Sequence, residues 1–241
     1  MADERPPLRD ALRMIRSVSR GSAVDPPQSF LRTAIEMRSG TPADSPMTLA
    51  DVMSDPGLRE LRTPALGVGE RAFDFTLSRF DDAAQTVRLS QFEAEKPVAL
   101  VLGSYTCPPF RAGLASVQEV YRRHRERVAF LMIYIREAHP EEGWVLARNR
   151  RLGIAIADPT SFEERAMVAR SCAARMELEM PVLVDELGNE VARQYGGWPM
   201  RLYLIDRDGR VAYRGADGPF GFKPAELEAA IRAELSREAR A

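Results

Sequence analysis

The chain has 241 residues, is 45% hydrophobic and carries a formal net charge of -1. That is enough apolar material for one large domain, or a domain with an extension, and the charge balance speaks against nucleic-acid or membrane-surface partners held by electrostatics. Cys107 and Cys172 lie far apart in sequence, so neither a disulfide framework nor metal-ligand spacing exists and no metal is expected.

Residues 1–66 are rich in Pro, Ser, Asp and Arg and hold three short helical patterns. The first sets Leu8, Ala11, Leu12, Ile15 and Val18 opposite Arg9, Arg13 and Arg16; the second uses Phe30, Leu31, Ala34, Ile35 and Met37; the third runs over about 49–53. This stretch is expected to be a helical N-terminal extension that packs on the main domain or on a second subunit of a homodimer. No run reaches the roughly 18 apolar residues of a membrane span, and no apolar leader opens the chain, so a reducing cytoplasm is the expected setting.

The main domain spans 67–241. Residues 72–77 and 86–89 form a hairpin around Asp81-Asp82-Ala83-Ala84. Residues 98–102 are apolar throughout, which predicts a strand buried on both faces. Gly103 and Ser104 end that strand. Pro108-Pro109 then opens a helix in which Phe110, Leu114, Val117 and Tyr121 recur at helical spacing as far as about Arg125. Residues 128–135 make a second buried strand and complete a right-handed βαβ unit. A helix over 161–176 follows, with Ser161 and Glu164 as a capping box and Phe162, Ala166, Ala169, Cys172 and Met176 as its inner face. Residues 181–184 give a short strand, Val191 and Tyr195 a short helix, residues 201–206 and 211–214 a hairpin, and residues 227–235 a closing helix. The order is that of a thioredoxin-like α/β fold with an N-terminal hairpin and an insertion before the last two strands. In open sheets of this kind chemistry gathers at the carboxyl ends of the parallel strands.

Cys107 falls in the loop from the first buried strand to its helix, beside free N–H groups and a positive dipole end. That backbone environment lowers a thiol pKa and favours the nucleophilic thiolate. The second strand runs out into Tyr134-Ile135-Arg136-Glu137-Ala138-His139-Pro140, which adjacent parallel strands bring beside Cys107. His139 is suited to hold the thiolate or carry its proton, and Glu137 to orient or tune the imidazole. Trp144, Trp198 and Pro199 are candidate pocket residues, the isomer of Pro199 being left open. His124 ends an exposed helix and is expected to be solvated. Cys172 is either a buried structural residue or the thiol that resolves an oxidised Cys107. If it is structural, an external thiol such as glutathione or thioredoxin must act as reductant; no bound cofactor is expected.

The segment Gly103-Ser104-Tyr105-Thr106-Cys107-Pro108-Pro109-Phe110 resembles the active-site segment of the iodothyronine deiodinases, with Cys107 where the animal enzymes carry selenocysteine. Residues 134–139, followed by Gly143-Trp144, resemble their second signature, and Arg201-Leu202-Tyr203 and Gly218-Pro219 are similar too. The resemblance covers about 67–235. It implies a thioredoxin fold and a nucleophile at Cys107 supported by His139, Glu137, Ser104, Thr106 and Tyr134. It also implies a thiol-dependent oxidoreductase acting on a small-molecule or peroxide substrate, by reductive dehalogenation or by reduction of a peroxide or disulfide.

Two departures stand out. Asp158-Pro159-Thr160-Ser161 holds no second histidine, and Asp217, a further pocket candidate, lies in the glycine-rich loop where animal members carry an arginine. The animal family's N-terminal membrane anchor is not matched either, which fits a soluble, bacterial relative. The competing class is a thioredoxin-fold binding or assembly protein without catalysis.

Overall fold

The structure is a computed structural model that describes residues 40–238. The first two helical patterns expected from the sequence lie outside these residues. In chain order come helices α1 (Leu49–Ser54) and α2 (Pro56–Arg62), strands β1 (Thr76–Ser78) and β2 (Thr86–Arg88), and a short 3-10 turn. Then follow β3 (Val98–Gly103), α3 (Pro108–His124), β4 (Ala129–Tyr134), α4 (Ala147–Arg151) and α5 (Phe162–Arg175). The chain continues through β5 (Val182–Val184), α6 (Glu190–Tyr195), β6 (Met200–Ile205), β7 (Val211–Arg214) and α7 (Pro224–Glu238).

Five strands form the central sheet in the order β5-β4-β3-β6-β7. β4 pairs parallel with both β3 and β5, while β6 runs antiparallel to β3 and β7. All six residues of β3 are buried, as an uninterrupted apolar run requires. The parallel register ends with Gly103 opposite Tyr134, so the loops leaving β3 and β4 start side by side. Gly103 is needed there. A Cβ at this position would come 2.3 Å from the Phe110 ring, which packs edge-on against Phe222 at 5.7 Å and ties the start of α3 to the segment before α7. β1 and β2 make the expected hairpin, but it is narrower than the sequence suggested and stays outside the central sheet.

Residues 40–66 belong to the same compact unit as the sheet. Thr48 caps α1 by accepting from the Asp51 N–H at 3.3 Å, and Asp55 caps α2 by accepting from Leu58 at 2.7 Å. Val52, Leu58 and Leu61 enter the core, and the Leu61 carbonyl accepts from the Trp198 N–H at 3.1 Å. Upstream, residues 40–47 run as a strap along the loop after His139. The Gly40 carbonyl accepts from the Ala147 N–H at 2.6 Å, Thr41 Oγ1 from Trp144 Nε1 at 2.8 Å, and Ser45 Oγ from the Val145 N–H at 3.0 Å.

Two local expectations are corrected, and one element, α4, was not expected because it has no apolar periodicity and is held by tertiary bonds. At α5, Ser161 caps as expected, accepting from Glu164 N–H at 3.1 Å, but the Glu164 carboxylate turns to Thr160 and leaves the box open. His124 is not solvated: its side chain is 15% exposed and Nε2 lies 3.1 Å from Glu228 Oε1.

Candidate active site around Cys107

Cys107 occupies the N-cap of α3, with Pro108 and Pro109 in the first turn. Ser104, Tyr105 and Thr106 precede it, all buried. Their polar groups are bonded onto the run-out of β4. The Tyr105 N–H donates to Tyr134 Oη at 3.0 Å; the Thr106 N–H and hydroxyl both donate to Glu137 Oε2, at 3.0 and 2.6 Å. Tyr134 donates its hydroxyl to Glu137 Oε1. In return Ser104 Oγ accepts from the Ala138 N–H at 3.1 Å, and Thr106 Oγ1 accepts from the His139 N–H at 3.0 Å. The two signature segments thus fold into one buried network, and Ser104, Thr106, Tyr134 and Glu137 all belong to it.

His139 is also buried. Its Nδ1 lies 3.0 Å from the Trp144 carbonyl, which can only accept, so Nδ1 carries the hydrogen and Nε2 is the basic nitrogen of the neutral ring. The Trp144 ring meets the imidazole edge-on at 4.7 Å. Burial brings the His139 pKa down to about 4. The expectation that Glu137 orients the imidazole is corrected. Both its oxygens are taken by Thr106 and Tyr134, and the Trp144 carbonyl does the orienting.

Cys107 itself is 1% exposed, and its sulfur lies 3.6 Å from Met200 Sδ. Met200 follows the cis Trp198–Pro199 peptide, which fixes the isomer that the sequence left open. Trp198 is buried, with Nε1 donating to the Glu137 carbonyl at 3.3 Å. The helix terminus does act on the thiol as the sequence suggested, through the Phe110 N–H. Burial outweighs it, and the Cys107 pKa is pushed up to about 12. Burial thus favours the neutral thiol at Cys107 over the thiolate expected from its place at the helix tip.

Cys172 lies on the inner face of α5, fully buried, with its pKa raised by burial. Both cysteines are free. Asp217 stands apart from the Cys107 network; its side chain is 78% exposed and pairs with Arg201 at 2.7 Å. Arg201 itself is buried, donating also to the carbonyls of Gly196, Gly215 and Arg62 at 2.7, 2.8 and 2.9 Å. A groove of about 350 Å³ lined by Phe80, Phe162 and Met167 includes none of these residues. Among the described residues no cluster has metal-ligating composition.

Composition gave no hint of two further members, Arg111 and Asn149. Arg111 donates to the Tyr105 carbonyl and, at 2.8 Å, to Asn149 Oδ1; Asn149 Nδ2 donates to the Thr106 carbonyl at 2.7 Å. The one usable signal was that Arg111 stands four residues after Cys107, on the same face of α3.

A cysteine at the tip of the helix after a central parallel strand, faced by the residue following a cis-proline, defines a thioredoxin-like protein. The fold is shared with an uncharacterised conserved protein from Geobacillus kaustophilus, at 20% identity and a TM-score of 0.51 over 71% of this chain and 83% of that one. A candidate protein disulfide isomerase from Bacteroides thetaiotaomicron shares it as well, at 20% identity and a TM-score of 0.50 over 71% and 91%. The family model for iodothyronine deiodinase matches residues 66–235, and the chain belongs to that family. It is 34% identical to the thyroxine 5-deiodinase of Sus scrofa over 139 residues, 58% of this chain and 44% of the relative. Against the thyroxine 5-deiodinase of Sparus aurata it is 30% identical over 203 residues, 79% of this chain and 73% of the relative. The chain thus spans less than half the length of the first mammalian relatives it matches.

Proposed function

We propose that this chain is a thiol-dependent oxidoreductase in which Cys107 is the reacting group and His139 manages its proton. The observation that carries this is the buried network joining the loop of Cys107 to the segment of His139 through Thr106, Glu137 and Tyr134. In the reaction the thiol loses its proton and the thiolate attacks a small electrophile. With a peroxide, sulfur bonds one oxygen, the O–O bond breaks, and the leaving hydroxide takes a proton to give water and a sulfenic acid. With an aryl halide, sulfur takes the halogen and the ring carbon takes the proton. Two equivalents of an external thiol, glutathione or thioredoxin, then return Cys107 to the thiol and leave as a disulfide.

The near-complete burial of the sulfur favours a small substrate, or an opening step before any larger one. Cys172, buried on α5, is better suited to packing than to resolving Cys107. Two free cysteines, and no helix among the described residues long and apolar enough to cross a membrane, support action in the cytoplasm.

The test is intact mass after one equivalent of hydrogen peroxide or an iodinated phenol, with and without glutathione. A mass shift on Cys107 that the thiol reverses, and its loss in Cys107→Ser, support the proposal. Equal turnover in wild type and Cys107→Ser ends it. One observation favours a second reading, a binding protein without catalysis: the raised pKa of the sealed thiol. A Cys107 that neither reagent modifies at any pH from 6 to about 10 decides for that reading.

A further inference from the structure

The loop Tyr105-Thr106 is held on two sides by different chemistry. Its N–H groups face the anionic side, bonded to Tyr134 and Glu137. Its carbonyls face the opposite side, where Arg111 takes that of Tyr105 and Asn149 takes that of Thr106. Arg111 and Asn149 also bond each other at 2.8 Å, and the guanidinium lies 5.6 Å from the centre of the Tyr105 ring. Asn149 is 1% exposed, and the amide that fixes the guanidinium is itself bonded to the Thr106 carbonyl at 2.7 Å. An arginine held by a carbonyl, an amide and an aromatic face keeps its charge under all ordinary conditions and has little freedom to swing away.

Resting on the redox reading of Cys107, we infer that Arg111 is a positioning residue: clamped by Asn149, it supplies the fixed positive charge against which the Cys107 thiolate forms. The groups that bear on this pair come from several elements. Arg111 acts on Cys107 from α3 and lowers its pKa, while Glu137 acts from the β4 run-out in the opposite sense. Arg111 in turn faces Tyr105 in the loop, Cys172 on α5 and Arg148 on α4. The same guanidinium disfavours protonation of His139 and so holds the resting imidazole neutral. Glu137 alone would oppose ionisation of the thiol. Arg111 offsets it, and the Asn149 bond holds that offset in place.

The experiment measures Cys107 alkylation by iodoacetamide against pH in a Cys172→Ser background, comparing wild type with R111M, R111K and N149A. Below its midpoint the rate follows the thiolate fraction and the exposure of the sulfur, and R111K, which alters the clamp but keeps the charge, separates the two. R111M is expected to react about tenfold more slowly at each pH below that midpoint, one unit of pKa. R111K keeps the charge and stays within about threefold of wild type, and N149A falls between the two. If R111M does not fold, R111Q, uncharged but still able to donate to the Tyr105 carbonyl, takes its place. An R111M as fast as wild type, or an R111K as slow as R111M, overturns the inference. So does a wild-type Cys107 that never alkylates. Peroxide consumption, measured separately, then still decides whether the protein is a redox enzyme.

Discussion

His139 and Trp144 hold each other twice: the imidazole Nδ1–H donates to the Trp144 carbonyl at 3.0 Å, and the two rings meet edge-on at 4.7 Å. The tautomer is thereby set, with Nε2 left as the basic nitrogen. The same enclosure keeps the ring neutral, since a buried imidazolium has no anion bonded to its ring.

That gives a pH dependence with a definite sign. The folded pKa of His139 is about 4, below its ordinary 6.5. The unfolded chain therefore binds the extra proton in this window. The contribution of His139 to stability is fully present above pH 6.5 and is lost as pH falls towards 4, by up to about 3 kcal/mol. Thermal melts of wild type and His139→Gln between these limits check it. The acid limb should be flatter in the variant.

Asp185 contributes with the opposite sign over an overlapping range. It accepts from the Ala192 and Val191 N–H groups at 2.9 and 3.3 Å, and burial pushes its pKa up to about 6. Here the folded state binds the extra proton, so stability is gained as pH drops from 6 towards 4 and lost as pH rises through 6. Asp185→Asn should remove that component, leaving a steeper acid decline that His139 dominates. Melts of the single and double variants separate the two.

Glu137 accepts three donors from two residues, and none of them reaches water. Glu137→Ala strands the Tyr134 hydroxyl and both Thr106 donors, and should cost about 3–5 kcal/mol in urea unfolding. Glu137→Gln retains an acceptor for Thr106, while the Tyr134 hydroxyl can turn to accept from the new amide. It should cost about 1–2 kcal/mol. Equal losses in the two variants would mean that the carboxylate charge, not its hydrogen bonds, holds the loop.

Arg201 and Asp217 make a salt bridge whose two halves differ in worth. Arg201→Met leaves three carbonyls without their donor inside the protein and should cost about 3–5 kcal/mol. Asp217→Ala removes only an exposed partner and should cost under about 1 kcal/mol. Denaturant midpoints of the two variants measure the asymmetry directly.

Much of the fold was legible because it rests on local pattern. The apolar run of β3, the double proline after Cys107 and the spacing of Phe110, Leu114 and Val117 each identify an element within a few residues. The ionisation state of Cys107 was not legible. The helix tip that lowers a thiol pKa is a local feature, whereas the burial that raises it involves Met200, which comes from the other end of the chain. Arg111 and Asn149 were missed for the same reason, as was the pairing of His124 with Glu228. Each looks like an ordinary surface residue until the fold supplies its partner.

The strap over 40–47 lies wholly outside residues 66–235, the part that matches the family. A chain trimmed to that match would keep every group around the sulfur, yet strip the indole nitrogen of Trp144 of its hydroxyl acceptor and bare the backbone at Val145 and Ala147. Within residues 66–235 the surroundings of His139 are therefore incomplete in this protein. The lock on its histidine is fastened from a segment that the family match leaves out.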